Sequence, residues 1–278
     1  MSAEREPGEV LELAFEAVQP SGAGVAVVGS TGPLHAARVL VAAIEPCGQC
    51  DVCRRGGAAV CPALAQRSTD APRTRVSSRW VVPLGDGLEL PGSSAAAVPG
   101  DVATAYTLYA RTGLQPRDPV VVTGATAVAR FLVEILRAKS ITPVALADAA
   151  AVAWCDELRA RGALVATSPA EIAAHLAAQG LGARPWRLIA TDGAGPAAAL
   201  CGPRATLTVL AGGLATRDDA LPAALIANEV AVIGVAGAHP DLIVEAAALC
   251  ARGEIDLAGG VTHDPADRTR ALVTIVSA

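Results

Sequence analysis

The sequence predicts an α/β protein in which a small β-rich unit precedes a doubly wound parallel sheet. From about residue 100 onward, short β-branched apolar runs alternate with alanine-rich segments of helical periodicity. The preceding part differs, since it holds strand-like runs around a cysteine-rich loop. Apolar residues make up 52% of the chain and aromatic residues only 3%, a balance typical of buried parallel strands covered by alanine-rich helices.

Charge and hydropathy exclude several classes of protein. The 22 basic and 27 acidic residues give a net charge of -5 without a long run of either sign, so nucleic acid is not an expected partner. No apolar stretch is long enough for a membrane span, and residues 1–8 are acidic and polar, unlike a signal peptide. Four of the seven cysteines are clustered, which indicates a metal site and reduced thiols in a cytoplasmic protein.

The N-terminal unit is expected over residues 1–99. Its predicted strands are apolar runs bounded by glycine or polar residues, at 10–17, 24–29, 39–44 and 76–84. The last of these runs ends at a Gly-Asp-Gly turn over 85–87. A cysteine- and glycine-rich loop at 47–62 separates the third and fourth strands.

Residues 100–278 are expected to form the doubly wound domain. The predicted strands are 120–123, 144–147, 164–166, 187–190, 206–210, 230–235 and 271–276. The predicted helices are 102–112, 128–139, 151–161, 169–179, 194–201, 221–227 and 240–252. Because strands and helices alternate, right-handed crossovers would make the strands parallel.

The cysteine loop has the spacing C-x2-C-x2-C-x7-C, formed by Cys47, Cys50, Cys53 and Cys61. Thiolates are soft ligands, and four of them complete a tetrahedral Zn²⁺ site. Such a site has no open position, so the sequence predicts one structural zinc per chain, held over residues 47–61. The alternatives are unpaired or disulfide-bonded cysteines and an iron–sulfur cluster.

A glycine turn, G-A-T-A-V-A over residues 124–129, follows the strand predicted at 120–123. In Rossmann folds such a turn brings a dinucleotide pyrophosphate to a helix N-terminus. Gly124 keeps the first glycine, whereas Thr126 replaces the second and would crowd the pyrophosphate. Asp148 ends the next strand, where a carboxylate can bind an adenosine ribose and favours NAD(H). Gly124, Thr126, Val128 and Asp148 are therefore candidate cofactor residues. Alternatively, the scaffold has lost its cofactor and Asp148 is a solvated acid.

Three segments resemble the medium-chain zinc-containing alcohol dehydrogenases. P-C-G-Q-C-D-V-C-R-R-G-G-A-A-V-C at 46–61 is similar to the structural zinc lobe of that family. D-V-A-T-A-Y at 101–106 resembles the helix that enters its nucleotide domain, and G-L-Q-P-R-D-P-V-V-V-T-G-A-T-A-V-A at 113–129 resembles the first strand and turn. The resemblance implies a truncated GroES-like domain and a Rossmann domain.

Two further segments carry a finer resemblance within that family. W-R-L-I-A-T-D-G-A-G at 186–195 and I-A-N-E-V-A-V-I-G-V-A-G-A-H-P-D-L at 226–242 look like the 6-hydroxycyclohex-1-ene-1-carbonyl-CoA dehydrogenase branch. The family pairs its subunits through an edge strand, which corresponds to 230–235 here. The resemblance therefore implies a homo-oligomer, or a hetero-oligomer with a related dehydrogenase subunit.

The sequence departs from the family at the catalytic zinc, whose open position polarises the substrate oxygen. The family supplies an early Cys, a Gly-His-Glu segment, and a Cys or Asp before the nucleotide domain. Here no cysteine precedes Cys47, the second segment falls on A-V-Q-P at 17–20, and the third position falls on Gly100, one place before Asp101. Four scattered histidines offer no metal-ligand spacing: His35, His175, His239 and His263. No catalytic residue is assigned.

Two hypotheses for the function follow. The first is a non-catalytic or accessory dehydrogenase-like subunit, which pairs with an active paralogue or an acyl-CoA enzyme. The second is a zinc-independent NAD(H)-linked oxidoreductase acting on an enone, a quinone or an alicyclic acyl-CoA. The altered glycine turn and the missing zinc ligands favour the first, and the retained Gly124 and Asp148 favour the second.

Overall fold

The computed structural model describes residues 10–29, 33–66, 73–85, 87–211 and 220–276. The chain forms two compact units, of which the first combines Met1–Thr104 with Ala238–Ala278 and the second is Ala105–Gly237. The sequence predicts a single domain boundary at about residue 100, whereas in the structure the segment after Gly237 belongs to the first unit. Residues 1–8 and position 86, on which the signal-peptide and turn predictions depend, lie outside the described residues.

An antiparallel sheet is the framework of the first unit. Its N-terminal part has the strands β1 (Val10–Val18), β2 (Gly24–Val28), β3 (Arg38–Val41), β4 (Ile44–Glu45), β5 (Ala65–Gln66), β6 (Arg73–Ser77) and β7 (Val81–Pro83). β1 pairs with β2 and β6, β2 with β3, and β3 with β7. Alternate residues of β1 are buried, as a strand with one covered face requires, so Leu11, Leu13 and Phe15 enter the core. A 3₁₀ turn at Ser78–Trp80 interrupts the strand predicted at 76–84.

β4 and β5 pair only with each other and bracket the cysteine loop. Within the loop, helix α1 (Asp51–Arg54) and a 3₁₀ turn at Ala58–Val60 separate the cysteines. After β7, a 3₁₀ turn at Ser93–Ala97 continues into a π-helical turn at Val98–Val102 and then into α2 (Ala103–Thr112). Single π-helical turns are rare and occur frequently at functional sites, and this one contains Asp101.

A parallel sheet of six strands forms the centre of the second unit. The strands are β8 (Val120–Thr123), β9 (Val144–Leu146), β10 (Leu164–Ala166), β11 (Arg187–Ala190), β12 (Thr206–Leu210) and β13 (Ala231–Val235). The helices are α3 (Ala127–Ala138), α4 (Val152–Ala160), α5 (Pro169–Ala178), α6 (Gly195–Ala199) and α7 (Ala220–Ala227). The spatial order β10-β9-β8-β11-β12-β13 is that of the Rossmann fold, as predicted. No described helix is both long enough and apolar enough to cross a membrane.

The segment after Gly237 completes the first unit. It contains a 3₁₀ turn at Pro240–Leu242, α8 (Ile243–Ala251), α9 (Leu257–Gly260), β14 (Val261–Thr262), β15 (Ala271–Leu272) and β16 (Thr274–Ile275). α8 packs against the π-helical turn, and β16 pairs antiparallel with β1. The strand predicted at 271–276 is therefore broken in two and does not join the parallel sheet, because its partners lie in the first unit.

A ring of four charges joins α3 and α4 in the second unit. Arg130 has no exposed side-chain area and lies 3.6 Å from Glu134 and 3.3 Å from Glu157. Arg161 closes the ring at 2.7 Å from Glu134 and 3.1 Å from Glu157. Buried charges are tolerated only when they are paired, so each member depends on the others.

We expect Glu134→Ala to lower the free energy of unfolding by about 3 kcal/mol, because it leaves the buried Arg130 with half of its countercharge. The exposed pair Arg159–Asp156, at 2.9 Å on the surface of α4, provides the control. Asp156→Ala should cost about 0.5 kcal/mol or less. Urea unfolding followed by tryptophan fluorescence measures both, and equal losses would contradict a structural role for the ring.

Candidate functional site

The structure brings the four predicted ligand cysteines together in the first unit. The Sγ atoms of Cys47 and Cys61 are 3.6 Å apart, those of Cys50 and Cys61 3.9 Å, and those of Cys47 and Cys53 4.0 Å. All four ligand atoms lie within 4.8 Å of one another. Left-handed backbone at Gly48 makes the sharp bend between the first two cysteines.

This sulfur arrangement fits a zinc ion. A Zn–S bond of about 2.3 Å in a tetrahedron places the sulfurs about 3.8 Å apart, close to the separations observed. A disulfide needs about 2.05 Å, and all seven cysteines are free. An iron–sulfur cluster would have to stand between the thiolates, which this small tetrahedron does not allow. Four protein ligands leave no position for a substrate, so the metal would be structural and not catalytic.

Hydrogen bonds and burial act in opposite directions on the loop thiols. Backbone N–H groups of Gln49 and Cys50 lower the pKa of Cys47 to about 6, because they stabilise its thiolate. Desolvation by burial raises the pKa of Cys53 to about 12. Zinc binding would therefore release protons from the thiols that hold them, and it would become tighter as the pH rises.

The four histidines are dispersed, as the sequence indicates, and three of them contact backbone carbonyls. His239 Nε2 lies 3.0 Å from the carbonyl oxygen of Gly56 and so connects the cysteine loop to the segment before α8. His175 lies 3.1 Å from the Val165 carbonyl, and His263 lies 2.6 Å from that of Val273. His35 is exposed. These contacts give the buried His239, the half-buried His175 and the exposed His263 structural roles.

The strand order of the parallel sheet reverses between β8 and β11, which is where Rossmann folds bind dinucleotides. Gly124 follows β8 with a φ of +114°, and a Cβ there would overlap the Thr191 hydroxyl and lie 3.0 Å from the Asp192 nitrogen. Only glycine fits this close approach between the two loops.

Thr126 lies at this point of strand-order reversal. The sequence predicts only that its side chain crowds a pyrophosphate, but in the structure the side chain also forms hydrogen bonds. It is the N-cap of α3, and its Oγ1 accepts the N–H of Ala129 at 3.2 Å. The same hydroxyl donates to Thr191 Oγ1 at 3.1 Å, and the Thr191 hydroxyl donates to the Thr123 carbonyl at 3.1 Å. The crevice is thus bridged by two hydroxyls, and one helix N–H that could bind a phosphate is already used.

Val128 and Asp148, the other two candidate cofactor residues, take no part in the hydrogen bonds between Thr126 and Thr191. Val128 is 7% exposed within the first turn of α3, where its side chain packs in the core. Asp148 is exposed at the end of β9, and its Oδ1 accepts the N–H of Ala150 at 2.9 Å. This contact stabilises the turn before α4, and Oδ2 has no hydrogen-bond partner among the described residues. Asp148 therefore keeps one oxygen with which it could bind a ribose.

A second pair of polar residues was not predicted from the sequence. Gln19, 3% exposed at the end of β1, donates from Nε2 to Asp101 Oδ2 at 2.6 Å. Burial raises the pKa of Asp101, and the hydrogen bond from Gln19 only partly offsets it. A Cβ on Gly100 would overlap Gln19 Oε1, an atom without a hydrogen-bond partner among the described residues. Gln19 and Asp101, at positions where the chain has neither a His nor a Cys as a zinc ligand, thus form a part-buried amide–acid pair.

The sequence matches no protein-family model and no curated protein. Solved structures do match. A short chain alcohol dehydrogenase from E. coli CFT073 with NADH has a TM-score of 0.79 at 14% identity, covering 98% of this chain and 94% of that one. The fold is that of an alcohol dehydrogenase. It comprises a GroES-like antiparallel unit and a Rossmann unit, as expected.

Two more structures share the alcohol dehydrogenase fold. A protein from Sinorhizobium meliloti 1021, assigned as a zinc-binding dehydrogenase and bound to NADP, gives a TM-score of 0.75 at 16% identity. The match covers 98% of this chain and 94% of that one. The alcohol dehydrogenase TADH from Thermus sp. ATN1 gives 0.75 at 14% identity, with 94% and 87% covered. At such low identity the likeness concerns the fold, and the chemistry has to be argued from this chain's residues.

Asp101→Asn is expected to stabilise the protein at neutral pH. Because the folded-state pKa of Asp101 is raised, the wild-type side chain destabilises the fold progressively as the pH rises above its unfolded value of about 3.9. An asparagine carries no charge and can donate to Gln19 Oε1, a gain on the order of 1 kcal/mol.

The measurement is the difference in unfolding free energy between variant and wild type from pH 4 to pH 8. It should grow with pH, and Glu89→Gln, at an exposed position, is the control for the loss of one acidic group. A flat curve for Asp101→Asn would mean that the acid is not held in its neutral form.

Proposed function

We propose that this chain is an alcohol dehydrogenase-fold protein that has lost nucleotide-dependent catalysis and acts as an accessory subunit, with a zinc-bound cysteine loop as a structural clip. The observation that carries the proposal is the hydroxyl bridge between Thr126 and Thr191 at the strand-order reversal. The missing family ligands for a catalytic zinc support the same conclusion.

The size of the effect on nucleotide binding follows from the hydrogen bonds. A pyrophosphate at the N-terminus of α3 would have to displace Thr126 from both Thr191 and the Ala129 N–H. Each neutral hydrogen bond contributes about 1 kcal/mol, so two correspond to a roughly 30-fold weaker dissociation constant. The Thr126 methyl group adds steric exclusion where a glycine would allow close approach.

An accessory role requires a partner surface, and the edge strand β13 is suited to that. Its residues Ala231, Val232 and Gly234 are exposed, and the strand carries neither a charge nor a proline to prevent edge pairing. We propose self-association, or pairing with a related dehydrogenase subunit, through this edge. In a two-fold dimer the β13 strands would run antiparallel and join two sheets into one. A reducing, cytoplasmic location fits the free cysteines.

The second candidate is a metal-independent NAD(H)-linked oxidoreductase acting on an enone, a quinone or an alicyclic acyl-CoA. Gly124 favours it, because this glycine keeps the left-handed turn after β8 with which a dinucleotide-binding loop begins. Asp148 adds a free ribose-binding oxygen. The sequence resemblance to the 6-hydroxycyclohex-1-ene-1-carbonyl-CoA dehydrogenase branch suggests the acyl-CoA substrate.

Calorimetric titration of NADH separates the two candidates. For an accessory subunit, wild-type protein should show no binding tighter than about 1 mM. Thr126→Gly should bind roughly 30-fold more tightly, because it removes both hydrogen bonds that a pyrophosphate would have to displace. Thr126→Ser keeps the hydroxyl bridge and removes only the methyl group, so it is the matched control and should bind NADH far less tightly than Thr126→Gly. Micromolar binding by the wild type would favour the oxidoreductase, and its turnover with enones and acyl-CoA esters would then be measured.

Val232→Arg is expected to abolish self-association, since it puts a charge on the exposed face of β13, where Val232 is 43% exposed. The control is Val152→Arg, at a position 62% exposed on α4. Light scattering at roughly 10–100 μM should give a dimer for the wild type and the control and a monomer for Val232→Arg. A monomeric wild type would contradict self-association.

A further inference from the structure

Arg79 lies against the cysteine loop although it belongs to a different segment. It sits in the 3₁₀ turn at Ser78–Trp80, between β6 and β7. Its guanidinium covers Gly48, the residue after the first cysteine. A Cβ on Gly48 would lie 2.6 Å from Arg79 Cζ and 3.0 Å from Nη2, and it would overlap Nη1. Only a residue without a side chain permits this contact.

The guanidinium also lies over an aromatic ring. Arg79 Cζ is 4.9 Å from the centroid of Trp80, within the range of a cation–π interaction. Trp80 is only 7% exposed and belongs to the core of the first unit, so the ring is a fixed support. Arg79 thus meets the loop in one orientation, at little further cost in conformational entropy.

The positive charge of Arg79 can act on the cysteine loop, because no acidic side chain in the described part of the chain neutralises it. Arg79 forms no ion pair with a carboxylate in the described part of the chain. Arg54, within the loop itself, is directed to Asp51 at 4.0 Å, and both of these side chains are strongly exposed. A zinc ion with four thiolates carries a net charge of -2, which is stabilised by a nearby cation.

We propose that Arg79 is the countercharge of the cysteine metal centre. It stabilises the anionic zinc complex, and it thereby raises zinc affinity and slows zinc release. Arg79 is a positioning residue that touches the loop backbone and does not coordinate the metal. The inference rests on zinc binding in the proposed function, but it does not depend on whether the protein is a catalyst.

The test is zinc affinity, measured by competition with a chromophoric chelator on wild-type protein and on variants of position 79. Arg79→Gln should raise the zinc dissociation constant roughly 10-fold to 100-fold, the usual range for loss of a group that supports metal ligands. Arg79→Lys keeps the charge and should stay near wild type. Arg54→Gln, which removes a charge already paired with Asp51, is the matched control and should change little.

The salt dependence provides an independent readout. The gap between wild type and Arg79→Gln should narrow as salt rises from about 0.05 M to 0.5 M, because a contribution from charge is screened and one from packing is not. If Arg79→Gln does not fold, Arg79→Met, whose apolar chain can still cover Trp80, replaces it in the same assay.

The inference would be overturned if Arg79→Lys and Arg79→Gln weakened zinc binding equally, because the effect would then come from stacking. It would also be overturned if neither variant changed the zinc affinity. A wild-type protein that binds no zinc at all would instead remove the metal centre from the proposed function. That outcome is recognised first, because the wild type is assayed for zinc before any variant.

Discussion

The reversal of strand order between β8 and β11 is the constraint on which the second unit depends. It brings the loop after one strand beside the loop after the other, so a residue in either loop faces its counterpart across a narrow crevice. Gly124 provides the closest approach, and the hydroxyls of Thr126 and Thr191 meet where a ligand would enter. The same topology that makes a nucleotide site in other proteins here also brings two side chains close enough to form a hydrogen bond at the point of reversal.

Local sequence patterns predicted the second unit well. Strands β8, β10, β11 and β12 begin and end at the predicted residues, because each is a β-branched or apolar run bounded by turn residues. The cysteine cluster was equally predictable, since its ligands lie within one loop and their spacing limits where the sulfurs can point.

Pairings between distant segments were not predictable in the same way. Gln19 and Asp101 are 82 residues apart, and no periodicity links the end of a strand to a π-helical turn. The strand pattern at 271–276 was visible, but apolar alternation does not state which sheet a strand joins. The hydroxyl bridge was anticipated only as steric crowding at Thr126, since the partner Thr191 belongs to a loop that follows a different strand.

The pairing of β16 with β1 has a consequence for how the chain acquires its structure. The second unit is continuous in sequence, from Ala105 to Gly237, whereas the first is assembled from two stretches on either side of it. During synthesis the parallel sheet can therefore form before β16, the last strand of the antiparallel sheet, has been made. Contacts between segments so far apart in sequence slow folding, so the first unit is expected to mature last. The cysteine loop lies in the stretch made first, and the His239 that contacts it is made more than a hundred residues later.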